Sequence, residues 1–267
     1  MIVDGKQLAE DIYTRTKARV RALGERPRLT IVTCAPNFET RKYLALKEKR
    51  ASEVGIATHI IELPSDAPTE DFIARIHESL DVSDGIIVQL PLPEGVDRAA
   101  VVRTVPPTHD VDALNPGTTE LLSPVVGAFK EILTRNGVSP KEKYVTVIGS
   151  GALVGLPAYR WFSEVGAYVS VVTRDTADIT HYTQHADIVV CGAGSPGLLT
   201  PEMVREGVII LDAGTSEDGG VLRGDADPRC AEKASLFTPV PGGIGPMTIA
   251  ILLQNVVLCA EQKKPVL

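Results

Sequence analysis

The stretch that decides the fold is Tyr144-Val145-Thr146-Val147-Ile148 followed by Gly149-Ser150-Gly151-Ala152-Leu153-Val154-Gly155. The first five residues predict a buried strand, and the glycines after them predict a tight turn into a helix. Such a turn places backbone N–H groups and the positive end of a helix where a pyrophosphate can bind. This order favours a dinucleotide site; a tight turn that binds nothing is the alternative.

The same alternation of apolar strands and helical patterns runs along the whole chain. The predicted strands are residues 29–34, 57–63, 85–90, 144–148, 168–172, 187–191 and 208–211. Strands that alternate with helices predict parallel sheets. The fold class is therefore α/β, with two doubly wound domains around a cleft, the second of them Rossmann-like.

Composition limits the classes of protein. Of the 267 residues, 44% are hydrophobic, which is enough for a sizeable core. The net charge of −7 comes without a basic patch, which argues against nucleic acid as a partner. The cysteines are widely spaced, so we expect reduced thiols and no metal site. No signal peptide and no apolar run of membrane-spanning length is evident, which predicts a cytoplasmic protein without a membrane partner.

The end of the predicted strand 168–172 indicates which cofactor is bound. The sequence there is Val172-Thr173-Arg174, and no acidic residue occurs before Asp175. An NAD site prefers a carboxylate at this point, whereas a hydroxyl beside a guanidinium suits the 2′-phosphate of NADP. The pattern favours NADP, with NAD as the other candidate; Arg174 as a solvated surface charge is the alternative interpretation.

A lysine and a tyrosine share one face of the helix predicted over 40–54. Tyr43 and Lys47 are four residues apart, and their helix follows the first strand, where ligands bind in open α/β sheets. Nearby cations and burial both lower the pKa of a lysine. To act as a base near neutral pH, Lys47 needs a pKa lowered by about 3 units, or roughly 4 kcal/mol. A basic helix face with a solvated lysine is the alternative.

Two further polar residues are predicted at the same edge of the first sheet. Gln89 ends an apolar strand just before Leu90-Pro91-Leu92-Pro93, and Asp112 lies in the Pro-rich loop 106–117. Together with Tyr43 and Lys47 they would form a polar pocket for a nitrogen-rich substrate. A strand-end cap for Gln89 and an Asx turn for Asp112 are the alternatives.

The segment Thr238-Pro239-Val240-Pro241-Gly242-Gly243-Ile244-Gly245-Pro246-Met247-Thr248 contains three prolines and three glycines. Prolines fix the backbone path and glycines allow close approach, which favours a loop that lies against a ligand over a rigid connection. Pro246 suits the first position of the apolar helix that follows.

Together these motifs identify a resemblance. The chain resembles the bifunctional methylenetetrahydrofolate dehydrogenase/methenyltetrahydrofolate cyclohydrolase family over essentially its whole length. The motifs that carry the resemblance are Asp4-Gly5-Lys6, Tyr43-x-x-x-Lys47, Val88-Gln89-Leu90-Pro91-Leu92-Pro93, Asp110-Val111-Asp112, Val154-Gly155-x-Pro157, Gly224-Asp225-x-Asp227 and Pro239 to Thr248.

The resemblance implies two reactions. Family members oxidise 5,10-methylenetetrahydrofolate with NADP to the 5,10-methenyl cation, and then hydrolyse this cation to 10-formyltetrahydrofolate. By the same resemblance Lys47 transfers protons in the hydrolysis, Gln89 holds and tunes Lys47, Tyr43 stacks on the folate and Asp112 binds the pterin. The implied partners are tetrahydrofolate derivatives and a second copy of the chain in a homodimer.

The implied sites and domains are specific. The cofactor-binding set is Gly149, Ser150, Gly151, Val154, Gly155, Thr173, Arg174 and Ile244. The substrate-binding set is Tyr43, Gln89, Leu90, Pro91, Asp112, Pro241, Gly242 and Gly243, with the loop around Pro241 to Gly245 near the nicotinamide. The folate-binding domain spans 1–120, with 246–267 returning to it, and the NADP-binding domain spans 121–245.

The chain departs from the family at the cofactor turn. The usual Gly-Arg-Ser is here Gly149-Ser150-Gly151, so a phosphate-binding arginine is absent, and Arg174 is the candidate to supply the charge from another position. Ala113 also stands where the family favours glycine. A cyclohydrolase with weak dehydrogenase activity and a noncatalytic folate- or nucleotide-binding relative are therefore alternatives. An unrelated Rossmann dehydrogenase acting on a carbonyl is disfavoured, since no His/Asp pair is evident.

Overall fold

The computed structural model describes residues 1–115, 121–218 and 221–263. The chain forms two compact units. The three-stranded unit comprises Glu10–Ser123 and Ile249–Leu267, and the five-stranded unit comprises Met1–Ala9 and Pro124–Thr248. Each unit is named after its main parallel sheet.

The three-stranded unit begins with helix α1 (Gly5–Leu23), most of which belongs to it. The elements that follow α1 in the segment up to Ser123 are β1 (Arg28–Cys34), α2 (Phe38–Val54), β2 (Ala57–Leu63), α3 (Thr69–Ser79), β3 (Gly85–Val88) and α4 (Arg98–Thr104). The strand order is β2-β1-β3, and every pairing is parallel. This arrangement places the residues that follow β1 and β3 at one edge of the sheet, as the alternating pattern predicts.

Burial explains why these strands form. Ile31 of β1 lies opposite Ile60 of β2 and Ile87 of β3, and β3 is buried along its whole length. One face packs on Phe72 and Ile76 of α3. Removing such side chains from water supplies roughly 1.5–3 kcal/mol each. The strand predicted over 85–90 ends earlier, at Val88, because Pro91 has no N–H with which to continue the ladder.

The five-stranded unit contains the glycine turn. Its elements are α5 (Pro124–Arg135), β4 (Tyr144–Ile148), α6 (Gly155–Glu164), β5 (Tyr168–Val172), α7 (Ile179–Thr183), β6 (Ile188–Cys191), β7 (Ile209–Asp212), β8 (Ser216–Asp218), β9 (Val221–Arg223) and β10 (Leu236–Phe237). The parallel sheet has the order β10-β7-β6-β4-β5, and β8 and β9 form an antiparallel hairpin. Short 3₁₀ helices occupy Pro201–Met203 and Pro228–Glu232.

The strand order defines where a ligand can bind in this unit. From β4 the chain winds first to β5 on one side and then to β6 on the other. In an open α/β sheet the ligand crevice lies at such a reversal, outside the carboxyl ends of the two strands. The glycine turn follows β4, so it lies at the reversal.

The first residues of the chain pair with the end of the five-stranded sheet. The Val3 N–H donates to the Phe237 carbonyl at 2.9 Å, and the Gly5 N–H donates to the Gly242 carbonyl at 2.9 Å. A β-carbon at Gly5 would lie 1.7 Å from the Gly243 carbonyl oxygen, so only glycine fits there. The predicted division places residues 1–9 in the first domain, whereas in the structure they belong to the five-stranded unit, to which Val3 and Gly5 are hydrogen-bonded.

The last helix, α8 (Ile244–Gln262), differs from the prediction in two ways. Pro246 is its third residue, a position that proline tolerates because the first-turn N–H groups have no partner within the helix. By length and composition α8 could also cross a membrane, whereas no run of that length was expected. Most of the helix is buried inside the protein, as in the core of a soluble domain.

Candidate active site

Helix α2 carries a lysine on its buried face. Leu44, Lys47, Ala51 and Val54 are its buried residues, and Lys47 is only 4% exposed. The helix is fixed at both ends, since the Asn37 side chain accepts the Thr40 N–H at 2.9 Å and Gly55 closes the helix in a left-handed conformation. The amine of Lys47 is therefore held inside the protein.

The amide that follows β3 meets this lysine. Lys47 Nζ donates to Gln89 Oε1 at 3.0 Å, and Gln89 Nε2 donates to the Leu90 carbonyl at 2.8 Å. The second bond orients the amide so that its oxygen, and not its NH₂ group, faces the amine. The Leu90–Pro91 peptide bond is cis.

Asp112 is presented by a turn that its neighbour Asp110 organises. Asp110 is buried, forms a bridge beside Ile86 of β3, and its Oδ2 accepts the Asn115 N–H at 2.6 Å. Burial raises the pKa of the Asp110 carboxyl to about 7. Ala113, within the turn, has a φ of 51°, a left-handed conformation that glycine adopts without strain.

The environment disfavours charge on both members of the Lys47–Asp112 pair. Burial lowers the pKa of Lys47, and the charge of Asp112 opposes this by raising it. Burial likewise raises the pKa of Asp112, and Lys47 opposes that shift. A lysine with a lowered pKa has a larger neutral fraction near pH 7, so its amine can accept a proton as well as donate one.

The other predicted substrate contacts of this unit lie close by. Lys47 Nζ lies 4.8 Å from the centroid of the Tyr43 ring, and Tyr43 is 39% exposed. Leu90 packs against the apolar cluster that contains Val88, whereas Pro91 is exposed. Within this unit the structure thus brings together an amine, an amide, a carboxylate and an accessible aromatic ring.

In the five-stranded unit the glycine turn has the geometry of a phosphate cradle. Gly149 has a φ of 100°, and a β-carbon there would lie 2.6 Å from the Gly192 carbonyl oxygen. A β-carbon at Gly155 would lie 2.1 Å from the Gly149 carbonyl oxygen, so the turn is tight. Ser150 and Gly151 are exposed, and their N–H groups make no hydrogen bond within the described part of the chain. Exposed backbone donors beside a helix N-terminus fit a pyrophosphate.

The segment after β5 lies beside this turn. The Gly149 N–H donates to the Val172 carbonyl at 2.8 Å, which places Thr173 and Arg174 next to the glycines. Thr173 is partly buried and its Oγ1 accepts the Asp175 N–H at 3.3 Å. Arg174 is exposed and makes no ion pair with any residue that the structure describes. Its guanidinium can therefore turn to a ligand phosphate.

The Pro-Gly segment closes tightly on itself. The Gly243 N–H donates to the Pro239 carbonyl at 2.7 Å, and a β-carbon at Gly243 would lie 2.7 Å from the same oxygen. Gly242 has a φ of 107°, and the Val240–Pro241 peptide bond is cis. Ile244 begins α8 and is buried. The segment is built from close backbone contacts that only glycine permits.

Sequence reasoning missed one supporting residue. Asn255 of α8 is buried and donates through Nδ2 to the Val111 carbonyl at 2.8 Å and to the Leu122 carbonyl at 2.9 Å. It therefore fixes the backbone directly beside Asp112. The signal in the sequence is the pair of amides, Gln254 and Asn255, inside the apolar run 249–258.

Comparison with known proteins identifies the family. Residues 3–112 match the family described as the tetrahydrofolate dehydrogenase/cyclohydrolase catalytic domain. Residues 124–264 match its NAD(P)-binding domain. The chain belongs to the tetrahydrofolate dehydrogenase/cyclohydrolase family. The two matches correspond in order to the three-stranded and five-stranded sheets.

Relatives and solved structures agree with this family over the full length. The "Bifunctional protein FolD" of Halothermothrix orenii is 38% identical over 273 residues, covering 96% of each chain. The bifunctional FolD enzyme of Campylobacter jejuni superposes with a TM-score of 0.95 at 31% identity, covering 99% of each chain. The Trypanosoma brucei enzyme, solved with NADP and an inhibitor, gives a TM-score of 0.91 at 30% identity, covering 98% of this chain and 97% of that one.

These findings confirm the predicted family, the two-domain α/β fold and the NAD(P)-binding domain. They also confirm the bifunctional dehydrogenase/cyclohydrolase class of enzyme.

Proposed function

We propose that the protein oxidises 5,10-methylenetetrahydrofolate with NADP and hydrolyses the resulting 5,10-methenyl cation to 10-formyltetrahydrofolate. The observation that carries this proposal is the buried Lys47 amine, hydrogen-bonded to Gln89 at 3.0 Å and acted on by the charge of Asp112. Binding alone does not need an amine whose pKa has been lowered. Family membership supplies the substrate class.

In the oxidation, a hydride leaves the methylene carbon between two nitrogens, and the positive charge that remains is shared by both. NADP, when bound, supplies the hydride acceptor. The residues that would hold it are the glycine turn for the pyrophosphate and Thr173 with Arg174 for the 2′-phosphate. Because the cation is stabilised by the substrate's own nitrogens, the role of the protein in this step is mainly placement.

In the hydrolysis, water adds to the methenyl carbon and loses a proton. The new hydroxyl then loses its proton as the bond from that carbon to N5 breaks and N5 takes a proton, so that 10-formyltetrahydrofolate and one proton are the products. A neutral Lys47 amine would accept the proton from water and return it to N5, with Gln89 Oε1 fixing its position. Asp112 would bind the pterin, and the exposed Tyr43 ring would stack on it.

An assay of both half-reactions with purified protein tests the proposal. We expect NADP reduction that depends on 5,10-methylenetetrahydrofolate, more efficient than NAD reduction, and loss of the methenyl absorbance when that compound is supplied directly. If neither NADP nor NAD were reduced, the proposed dehydrogenase activity would be refuted. If the methenyl compound were hydrolysed no faster than in buffer, the proposed cyclohydrolase activity would be refuted.

One observation favours a second candidate, a cyclohydrolase with weak dehydrogenase activity. Ser150 and Gly151 occupy the exposed part of the cofactor turn and offer no positive charge to a phosphate. If Arg174 does not replace that charge, NADP would bind weakly while hydrolysis by Lys47 remained. The same assay separates the two candidates through the KM for NADP.

The charge of Asp112 is expected to shift the pH dependence of hydrolysis, because it acts on the pKa of Lys47. Asp112 raises the pKa of Lys47, so Asp112→Asn is expected to lower that pKa and enlarge the neutral fraction of the amine. The rising limb of the kcat–pH profile should therefore move to lower pH, although pterin binding weakens. A limb that stays in place, or moves to higher pH, would contradict the proton-transfer role of Lys47.

We also propose a cytoplasmic homodimer. In the described part of the sheet β5 pairs on one side only, with β4, and its Tyr168 and Val171 side chains are exposed, as is Tyr144 on the neighbouring β4. An open sheet edge with exposed aromatic residues suits contact with a second copy. The buried free thiols of all four cysteines are compatible with a reducing compartment. Sedimentation at several protein concentrations measures the oligomeric state.

A further inference from the structure

The loop after β6 flanks the ligand crevice of the five-stranded unit. This loop, Gly192-Ala193-Gly194-Ser195, follows the strand next to β4, and the order of strands reverses between these two. It contacts the glycine turn directly. A β-carbon at Gly192 would lie 2.4 Å from Val154 Cγ1, and one at Gly149 would lie 2.6 Å from the Gly192 carbonyl oxygen. The position of the loop therefore sets the shape of the cradle.

A buried carboxylate distant in sequence holds this loop. Asp225 is 1% exposed. Its Oδ2 accepts the N–H groups of Ala193 at 2.6 Å and Gly194 at 3.2 Å, and its Oδ1 accepts that of Ser195 at 2.6 Å. The same oxygens thus bind successive backbone donors, as an anion does in a nest of N–H groups. Among the described residues no cation is paired with it, so its negative charge is directed to the loop.

A second buried carboxylate fixes Asp225 itself. Asp212, at the end of β7, accepts the Asp225 N–H at 3.3 Å through Oδ1 and the Ala226 N–H at 2.9 Å through Oδ2. Space for the Asp225 carboxyl is provided by Gly214, where a β-carbon would lie 2.1 Å from Asp225 Cγ. From the other side, Ser216 Oγ donates to the Gly194 carbonyl at 2.9 Å.

We propose that Asp225 is a positioning residue of the cofactor site, whose carboxylate holds residues 193–195 against the glycine turn so that NADP can bind. The inference rests on the proposed function, because NADP is the ligand that the cradle is taken to hold. Asp225 would not touch the reacting atoms, and it lies in a different unit from Lys47. Its loss should therefore weaken NADP binding and spare hydrolysis.

The test compares Asp225→Asn with a matched control in the same short segment. An asparagine keeps the shape but presents an NH₂ group to backbone N–H donors, so the loop is released. Asp227→Asn is the control, because Asp227 is paired with the exposed Arg229 and caps a 3₁₀ helix, a role that asparagine also fills. Calorimetric titration with NADP, steady-state kinetics of both half-reactions and thermal melting are measured for all three proteins.

For Asp225→Asn we expect the Kd and KM for NADP to rise about tenfold or more, with kcat at saturating NADP, the KM for folate and hydrolysis within about twofold of wild type. Asp227→Asn should match wild type in every readout. A merely structural role for Asp225 would lower the melting temperature and both activities together, leaving the KM for NADP in place. That result, or wild-type NADP affinity in a folded Asp225→Asn protein, would overturn the inference.

If Asp225→Asn is not recovered folded, Ser216→Ala decides the question, because it loosens the same loop by removing a single hydroxyl. A Kd for NADP raised by about two- to fivefold supports the inference, and an unchanged Kd overturns it. Failure of the proposed function is recognised separately. In that case wild-type protein itself would not bind NADP, and the inference would fall with it.

Discussion

Replacing Lys47 with methionine is expected to lower the rate of methenyltetrahydrofolate hydrolysis by about 10²–10⁴-fold, the usual contribution of a positioned acid–base group. Methionine has nearly the length of lysine and fills the buried position, so the helix should stay packed. Gln89 Oε1 loses its donor, which costs roughly 1–3 kcal/mol at most. Stopped-flow absorbance of the methenyl compound measures the rate, and NADP titration shows that the other unit is intact.

The control for this substitution is Lys49→Met, two residues further along the same helix. Lys49 is exposed, so its loss removes a similar charge without changing the buried site. Hydrolysis within about twofold of wild type is expected there. If Lys47→Met hydrolysed the substrate as fast as Lys49→Met, Lys47 would have no role in the proton transfer.

Arg174→Gln is expected to raise the KM for NADP by about 10–100-fold, since a charge-assisted hydrogen bond to a phosphate is worth roughly 1.5–3 kcal/mol. The KM for NAD, which lacks the 2′-phosphate, should change little. The decisive quantity is the ratio of kcat/KM for the two nucleotides, which should shift towards NAD. Hydrolysis should be unaffected.

Arg160→Gln is the matched control, because Arg160 is exposed on α6 of the same unit. It removes the same general positive charge and should leave the nucleotide ratio unchanged. An equal loss of NADP affinity in both variants would indicate a long-range charge effect. An unchanged ratio in Arg174→Gln would instead favour the cyclohydrolase with weak dehydrogenase activity.

Much of the fold could be predicted because local pattern and tertiary structure agree. Every predicted strand overlaps a strand of the structure, since a run of apolar β-branched residues is stable only when a parallel sheet buries it. The approach of Gln89 to Lys47 could also be predicted, because the residues that follow neighbouring parallel strands lie at the same edge of the sheet. The glycine turn could be placed because a turn with a positive φ, here 100° at Gly149, requires glycine, and the glycine is visible in the sequence.

What could not be predicted depends on contacts between distant residues. β10 has two residues, too few to show a period, and it exists because β7 pairs with it. The buried state of Lys47 was equally hidden, because the exposed Lys49 looks the same in the sequence. The roles of Asp110 and Asp112 were also not predictable, because nothing in the local sequence distinguishes them. Asp110 organises the turn by accepting the Asn115 N–H, whereas the charge of Asp112 raises the pKa of Lys47.

The pairing of residues 1–5 with the end of the five-stranded sheet constrains when this unit can finish folding during synthesis. The Met1 amino group donates to the Ser235 carbonyl, 234 positions later in the chain. The N–H groups of Val3 and Gly5 likewise donate to the distant carbonyls of Phe237 and Gly242. During synthesis these first residues emerge from the ribosome long before their partners exist, so they must remain unpaired for most of translation. The five-stranded unit can therefore reach its final form only near the end of synthesis, and fragments that lack either segment would leave that edge of the sheet open.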